Sequence, residues 1–188
     1  MKFSPTNTAK LCSHAARTLA AAGVIMASGL GLSVLTESAA NAQSGSDETM
    51  ISDASWLNIA VRGGSTSAGT DIIQWWADGG GEQQWNAFGY SGVNGGYYQN
   101  INSGLCITTD GVAGDPLTQE PCSENNVYQR WVSSYVWWAF GYTLYNPASG
   151  LNMDVQNFSY WGGAEIDGWY PNNQLNQVFS TPGGGSLS

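Results

Sequence analysis

Three Gln-x-aromatic triplets, Gln83-Gln84-Trp85, Gln129-Arg130-Trp131 and Gln177-Val178-Phe179, follow one another at spacings of 46 and 48 residues. Upstream of each lies a matching apolar run: Ile59-Ala60-Val61, then Cys106-Ile107-Thr108, then Asn152-Met153-Asp154-Val155. Between run and triplet sit turn pairs, Gly69-Thr70, Gly114-Asp115 and Gly163-Ala164. One triplet carries little information. Three at near-equal spacing, with the same companions in the same order, mark a repeated supersecondary unit. No such unit can bury its apolar faces alone, whereas three that close around an axis bury one another and remove exposed sheet edges.

The local pattern is that of strands. Short runs rich in Trp, Tyr, Ile, Val and Thr are broken by Gly, Asn, Asp and Ser, as at Gly63-Gly64, Asn94-Gly95-Gly96 and Trp161-Gly162-Gly163. No stretch keeps helical spacing for more than a turn or two. The fold class is therefore all-β, and roughly 145 residues suffice for one core of this kind. Trp85, Trp131 and Phe179 are the expected central fillers, because an aromatic buries so much area. Gln83, Gln129 and Gln177 are expected to satisfy buried polar groups, as buried amides must.

Residues 1–42 have the order of a secretory signal: Lys2, Lys10 and Arg17, an apolar stretch to Leu35, then Ala40-Asn41-Ala42 before an expected cleavage at Gln43. The alternative is an uncleaved anchor. A polar leader over 43–49 and a flexible Pro/Gly/Ser tail over 181–188 flank the domain. The expected product is secreted and extracellular, with no membrane insertion once the signal is removed. Beyond residue 42 only Arg62 and Arg130 face thirteen Asp and Glu, a net charge of −11. Nucleic acid is excluded as a partner, for want of a cationic face. The only His, His14, lies in the signal segment, so neither Ser-His-Asp chemistry nor an imidazole metal site is open to the mature chain, and no cofactor or metal is expected. Cys106 and Cys122 form an even pair in an exported, oxidising setting and are expected to be bridged.

These repeats resemble the ricin-type β-trefoil lectin domain, a family marked by three Gln-x-Trp repeats. The resemblance spans residues 50–180, with repeats of about 50–90, 91–135 and 136–180. Ile101-Asn102-Ser103-Gly104-Leu105-Cys106 and Ala148-Ser149-Gly150-Leu151-Asn152 resemble the family's repeat opening, and Cys106 and Cys122 coincide with its intra-repeat disulfide. It implies a pseudo-threefold β-trefoil of about twelve strands that binds sugars. Little chain precedes Trp56, so the first repeat's opening strand is expected to be short or irregular.

Sugar recognition needs a carboxylate that accepts from neighbouring hydroxyls, an amide that fixes direction, and an aromatic face for the apolar side of the ring. By the family's pattern the third repeat supplies all three: Asp154, then Trp169, then Asn176 directly before Gln177, with Asp167 where a polar residue often touches ligand. Each alone has a plainer role, such as capping a turn or packing in a sheet. The first repeat keeps Trp75 but has Ala60 for the Asp and Glu82 for the Asn; the second has Thr108, Glu120 and Tyr128 at the three positions. One working site in the third repeat is expected, with a galactose-type sugar or polysaccharide as partner. Two readings compete. Thirteen acids offer carboxylate pairs for a glycosidase, but catalysis is not expected, because a small trefoil surface would not bury and perturb them. A protein partner, as for a toxin's receptor-binding subunit, is the other alternative. Tyr135-Val136-Trp137-Trp138-Ala139-Phe140 supports it, because alternating strand faces cannot send both Trp137 and Trp138 into a core.

Overall fold

The computed structural model describes residues 47–89 and 95–181. The signal segment 1–42, the first part of the leader and the tail beyond Thr181 lie outside them. Thirteen strands, all paired antiparallel, and five single-turn 3-10 helices make up the described residues. The first repeat holds β1 (Asp47–Thr49), β2 (Ile51–Ser52), β3 (Asn58–Val61), β4 (Thr70–Trp75) and β5 (Gln84–Gly89). The second holds β6 (Gly96–Asn100), β7 (Cys106–Thr108), β8 (Thr118–Glu120) and β9 (Val132–Val136). The third holds β10 (Gly141–Asn146), β11 (Leu151–Val155), β12 (Ile166–Trp169) and β13 (Phe179–Ser180). The architecture is a β-trefoil of four strands per repeat. The thirteenth strand arises because the opening strand of the first repeat is split at Met50, so that β1 pairs with β5 while β2 pairs with β13 and β3. Two expected boundaries move. Asp47–Thr49, placed in a polar leader, adds an edge to β5, and Thr181, placed in the tail, is buried.

The core is built in threefold layers, one residue from each repeat at corresponding positions. Met50, Tyr98 and Leu144 come from or beside the opening strands; Ile59, Ile107 and Met153 from the second; Ile72, Leu117 and Ile166 from or beside the third. Trp85, Trp131 and Phe179 close the axis and are 1%, 1% and 0% exposed. The two indole N–H groups donate to Ile59 O at 3.0 Å and Ile107 O at 3.2 Å, so burial strands neither donor. The triplet glutamines are equally buried and internally bonded. Gln83 Oε1 accepts from Asn58 Nδ2 at 2.8 Å, and Gln177 Oε1 accepts from Asn152 Nδ2 at 2.9 Å. Cys106 holds the corresponding position in the second repeat, and there the Cys106–Cys122 disulfide replaces that amide pair.

The repeat openings turn through one residue of left-handed backbone. Gly104 and Gly150 fill that place at φ +70° and +78°, but the first repeat puts Trp56 there at φ +62°, 77% exposed. A side chain is disfavoured in this conformation. The aromatic run at 135–140 also departs from expectation. Only Tyr135 and Val136 extend a strand; Trp137 and Trp138 lie in the β9–β10 turn, where Ala139 N and Phe140 N both donate to Val136 O. Neither Trp enters the core, and Tyr135, Trp137, Trp138 and Phe140 are all exposed.

Candidate functional site

The register of β11 on β12 assembles the third-repeat residues. Asp154 pairs with Asp167, and Asn152 with Trp169. Alternation along β12 turns Asp167 and Trp169 to one face, and the pairing with Asp167 puts Asp154 on that same face. Together with Gln156, Asn157, Phe158, Asn172, Gln174 and Asn176 they line a cavity of about 390 Å³. Asp154 and Asp167 form its floor at 3% exposure each, while Trp169 stands as a wall, 44% exposed. The Trp169 ring rests on a loop of the preceding repeat: a Cβ at Gly114 would lie 3.2 Å from its Cζ3, and Gly114 N donates to Gly168 O at 2.8 Å. A glycine is needed there for the indole to stand upright.

Amides hold Asp154 in place. Asn176 Nδ2 donates to Oδ1 at 2.9 Å and Oδ2 at 2.8 Å, and Gln177 Nε2 donates to Oδ2 at 2.8 Å. Gln177 also donates to Tyr170 O at 2.9 Å, which ties the loop after Trp169 to the floor. Gln177 is thus an orienting residue behind the carboxylate rather than a lining residue. Burial pushes the Asp154 carboxyl up to about 6 against these donors. Burial pushes Asp167 up to about 7, with the charge of Asp154 adding to it, and its Oδ1 has no hydrogen-bond partner. The expectation that a trefoil surface would leave its carboxylates unperturbed therefore fails. The strand register seats two of them side by side in one floor.

Sequence reasoning missed Asn157, Phe158 and Asn172. Asn157 and Phe158 sit at φ +55° and +53°, the first tolerable for Asn and the second strained for Phe. The repeat alignment held the clue, because Gly63-Gly64 occupies the same two places in the first repeat. Asn172 Nδ2 donates to Asn176 Oδ1 at 3.3 Å, and Asn172 N donates to Gln177 Oε1 at 3.1 Å.

The other repeats differ from each other. In the second, Thr108 Oγ1 donates to Cys106 O at 3.0 Å and accepts from Gln129 Nε2 at 3.0 Å, and the Tyr128 ring lies on Gly111, where a Cβ would come within 2.9 Å of it. That position is filled from within. The first repeat, without its Asp, nonetheless keeps a cavity of about 520 Å³, lined by Ala60, Arg62, Gly63, Gly64, Ile73, Trp75, Asp78 and Glu82 among others. Among the described residues no group of three or more His, Cys, Asp or Glu is placed to hold a metal ion.

The resemblance read from the repeats is borne out by comparison with known proteins. Residues 81–169 match the family described as ricin-type beta-trefoil lectin domain-like. Among solved structures, the designed threefold-symmetric protein ThreeFoil is similar at 24% identity and a TM-score of 0.66, over 71% of this chain and 96% of that one. An exo-β-1,3-galactanase from Clostridium thermocellum is similar at 22% identity and a TM-score of 0.67, over 72% of this chain but 29% of that one. A ricin B-like lectin of Macrolepiota procera, solved in complex with lactose, is similar at 17% identity and a TM-score of 0.62, over 73% of this chain and 95% of that one. At such identities the likeness shows the fold. No curated protein matches the sequence.

Proposed function

We propose that this ricin-like trefoil is a secreted carbohydrate-binding protein with its main site in the third repeat. The observation that carries the reading is the convergence of Asp154, Asp167 and Trp169 on one cavity, with Asp154 fixed by Asn176 and Gln177. Asp154 accepts from a sugar hydroxyl at Oδ1, which takes one amide N–H, whereas Oδ2 already takes two. Trp169 offers its face to the apolar side of the ring, and Asp167 lies beside Asp154 in the floor. A galactose-type sugar, free or within a polysaccharide, meets these demands. One shallow site with no metal should bind a monosaccharide at about millimolar to tens of micromolar, ~4 to 6 kcal/mol. Catalysis is not part of the proposal. Glycosidase carboxylates flank the scissile bond, whereas Asp154 and Asp167 lie directly opposite one another in a single floor.

Calorimetric titration with the best hit of a glycan array tests the site. Asp154→Ala leaves that hydroxyl without its charged acceptor and should cost roughly 1.5 to 3 kcal/mol of binding. Trp169→Ala should cost about 1 to 3 kcal/mol, by analogy with stacking on aromatics elsewhere. Wild-type affinity in both variants would place the site elsewhere. Export is tested by N-terminal sequencing of the released protein, which should begin at Gln43.

A second reading is favoured by the β9–β10 hairpin tip, whose exposed Trp137 and Phe140 suit a protein partner. In that case Trp137→Ala with Phe140→Ala should abolish partner capture and leave sugar affinity unchanged.

A further inference from the structure

The first-repeat cavity and the third-repeat site have the same frame and opposite floors. Ala60 pairs with Ile73 as Asp154 pairs with Asp167, and Asn58 pairs with Trp75 as Asn152 pairs with Trp169. The chain then turns through Gly63 and Gly64, both at positive φ, as it does through Asn157 and Phe158. Trp75, 39% exposed, rests against Gly163 of the neighbouring repeat, 3.5 Å from where a Cβ would be, just as Trp169 rests against Gly114. The aromatic wall is therefore intact. The floor is not polar but aliphatic. Shorter side chains at Ala60, Gly63 and Gly64 widen the cavity to about 520 Å³, against about 390 Å³ in the third repeat.

The acceptor has moved from floor to rim. Glu82 stands at the position of Asn176, one residue before the triplet glutamine, and lines the cavity. Its carboxylate receives no hydrogen bond from the described residues. It folds over Gly80, where any Cβ would collide with it. Arg62, the cation at this rim, is held by Asp71 at 3.1 Å and Glu165 at 3.2 Å, so it does not neutralise Glu82.

We propose that this cavity is a second sugar site with a different selectivity. It takes a sugar that turns a methyl-bearing edge, deoxy or acetamido, onto Ala60 and Ile73. An adjacent N–H or O–H of that sugar donates to Glu82, and the ring face lies on Trp75. A pair of vicinal hydroxyls on this floor would lose water without gaining a partner, which excludes the sugar that Asp154 selects. A methyl group gains by the same burial. The inference rests on reading the trefoil as a carbohydrate binder, but not on Asp154, Asp167 or Trp169 of the third-repeat site.

The test is calorimetry on the mature protein with the methyl glycosides of a plain galactose, a 6-deoxyhexose and an N-acetylhexosamine. Galactose should bind wild type and fall at least tenfold in Asp154→Ala. At least one methyl-edged sugar should bind Asp154→Ala with wild-type affinity, and fall at least tenfold in Trp75→Ala and in Glu82→Ala with melting temperature retained. Ala60→Asp should weaken the same sugar at least tenfold by placing a carboxylate under the methyl group. Which of the two sugars binds identifies the substituent. Loss of methyl-edged binding in Asp154→Ala, or indifference to Trp75→Ala and Glu82→Ala, overturns the proposal. So does silence of both methyl-edged sugars while galactose still binds through Asp154, and that outcome leaves the third-repeat reading standing. Silence of every sugar removes both.

Discussion

Acidification from about pH 8 to about pH 5 should strengthen the fold and weaken third-repeat sugar binding together, because both effects run through Asp154 and Asp167. Burial holds these carboxyls at about 6 and about 7, against an ordinary 3.8. Each unit of pKa is worth ~1.4 kcal/mol, so the ionised floor burdens the native state by roughly 7 kcal/mol for the pair. The pair titrates as a unit, and its mutual repulsion is counted once. Both folded values lie above the unfolded one. The native state therefore binds more protons than the unfolded chain between about pH 4 and about pH 7, and stability falls as pH rises through that window. Binding has the opposite sign. With Asp154 titrating near 6, about one-tenth of it is ionised at about pH 5, and affinity should drop roughly tenfold, ~1.4 kcal/mol. Urea denaturation and calorimetric titration across this range read the two effects. The net charge of −11 beyond residue 42 also relaxes on acidification, so Asp154→Asn with Asp167→Asn supplies the background. That variant should be more stable than wild type at about pH 8 and should lose most of the slope. An unchanged slope in the double variant, or affinity flat down to about pH 5, would refute the argument that the register-paired floor controls both properties.

Trp131→Ala removes a buried indole from the axis and should cost roughly 3 to 5 kcal/mol in chemical denaturation, with third-repeat affinity intact in whatever folds. Trp56→Gly should do the reverse. It relieves a left-handed side chain, exposed and matched by glycine in the other two repeats, and should gain on the order of 1 kcal/mol in the same assay. Replacing Cys106 and Cys122 by Ala should cost about 3 kcal/mol by opening the loop they close, and leave sugar affinity nearly unchanged because the bridge lies in another repeat. Free thiols in the purified protein would contradict the bridge.

Much of the fold was legible before any coordinates, because repetition is a local signal. The triplets marked Trp85, Trp131 and Phe179 for the axis, and one period was enough to align Asp154 with Ala60 and Thr108. Asp167 and Trp169 came from the resemblance to the family's pattern, and the strand register then showed them on one face. What the spacing could not show was everything that passes between repeats. Gly114 supports Trp169, and Gly163 supports Trp75, across segments about 55 to 90 residues apart in the chain. Nothing local in either loop records its partner. Burial of the acidic floor was hidden for the same reason: a carboxylate in a strand reads as solvated until the walls around it are known. The missing Asp of the first repeat looked like a lost site, because a motif registers an absent residue and not the space left behind. Only the packing of three repeats decides whether that space is filled, as by Tyr128 over Gly111, or stays open beneath Trp75.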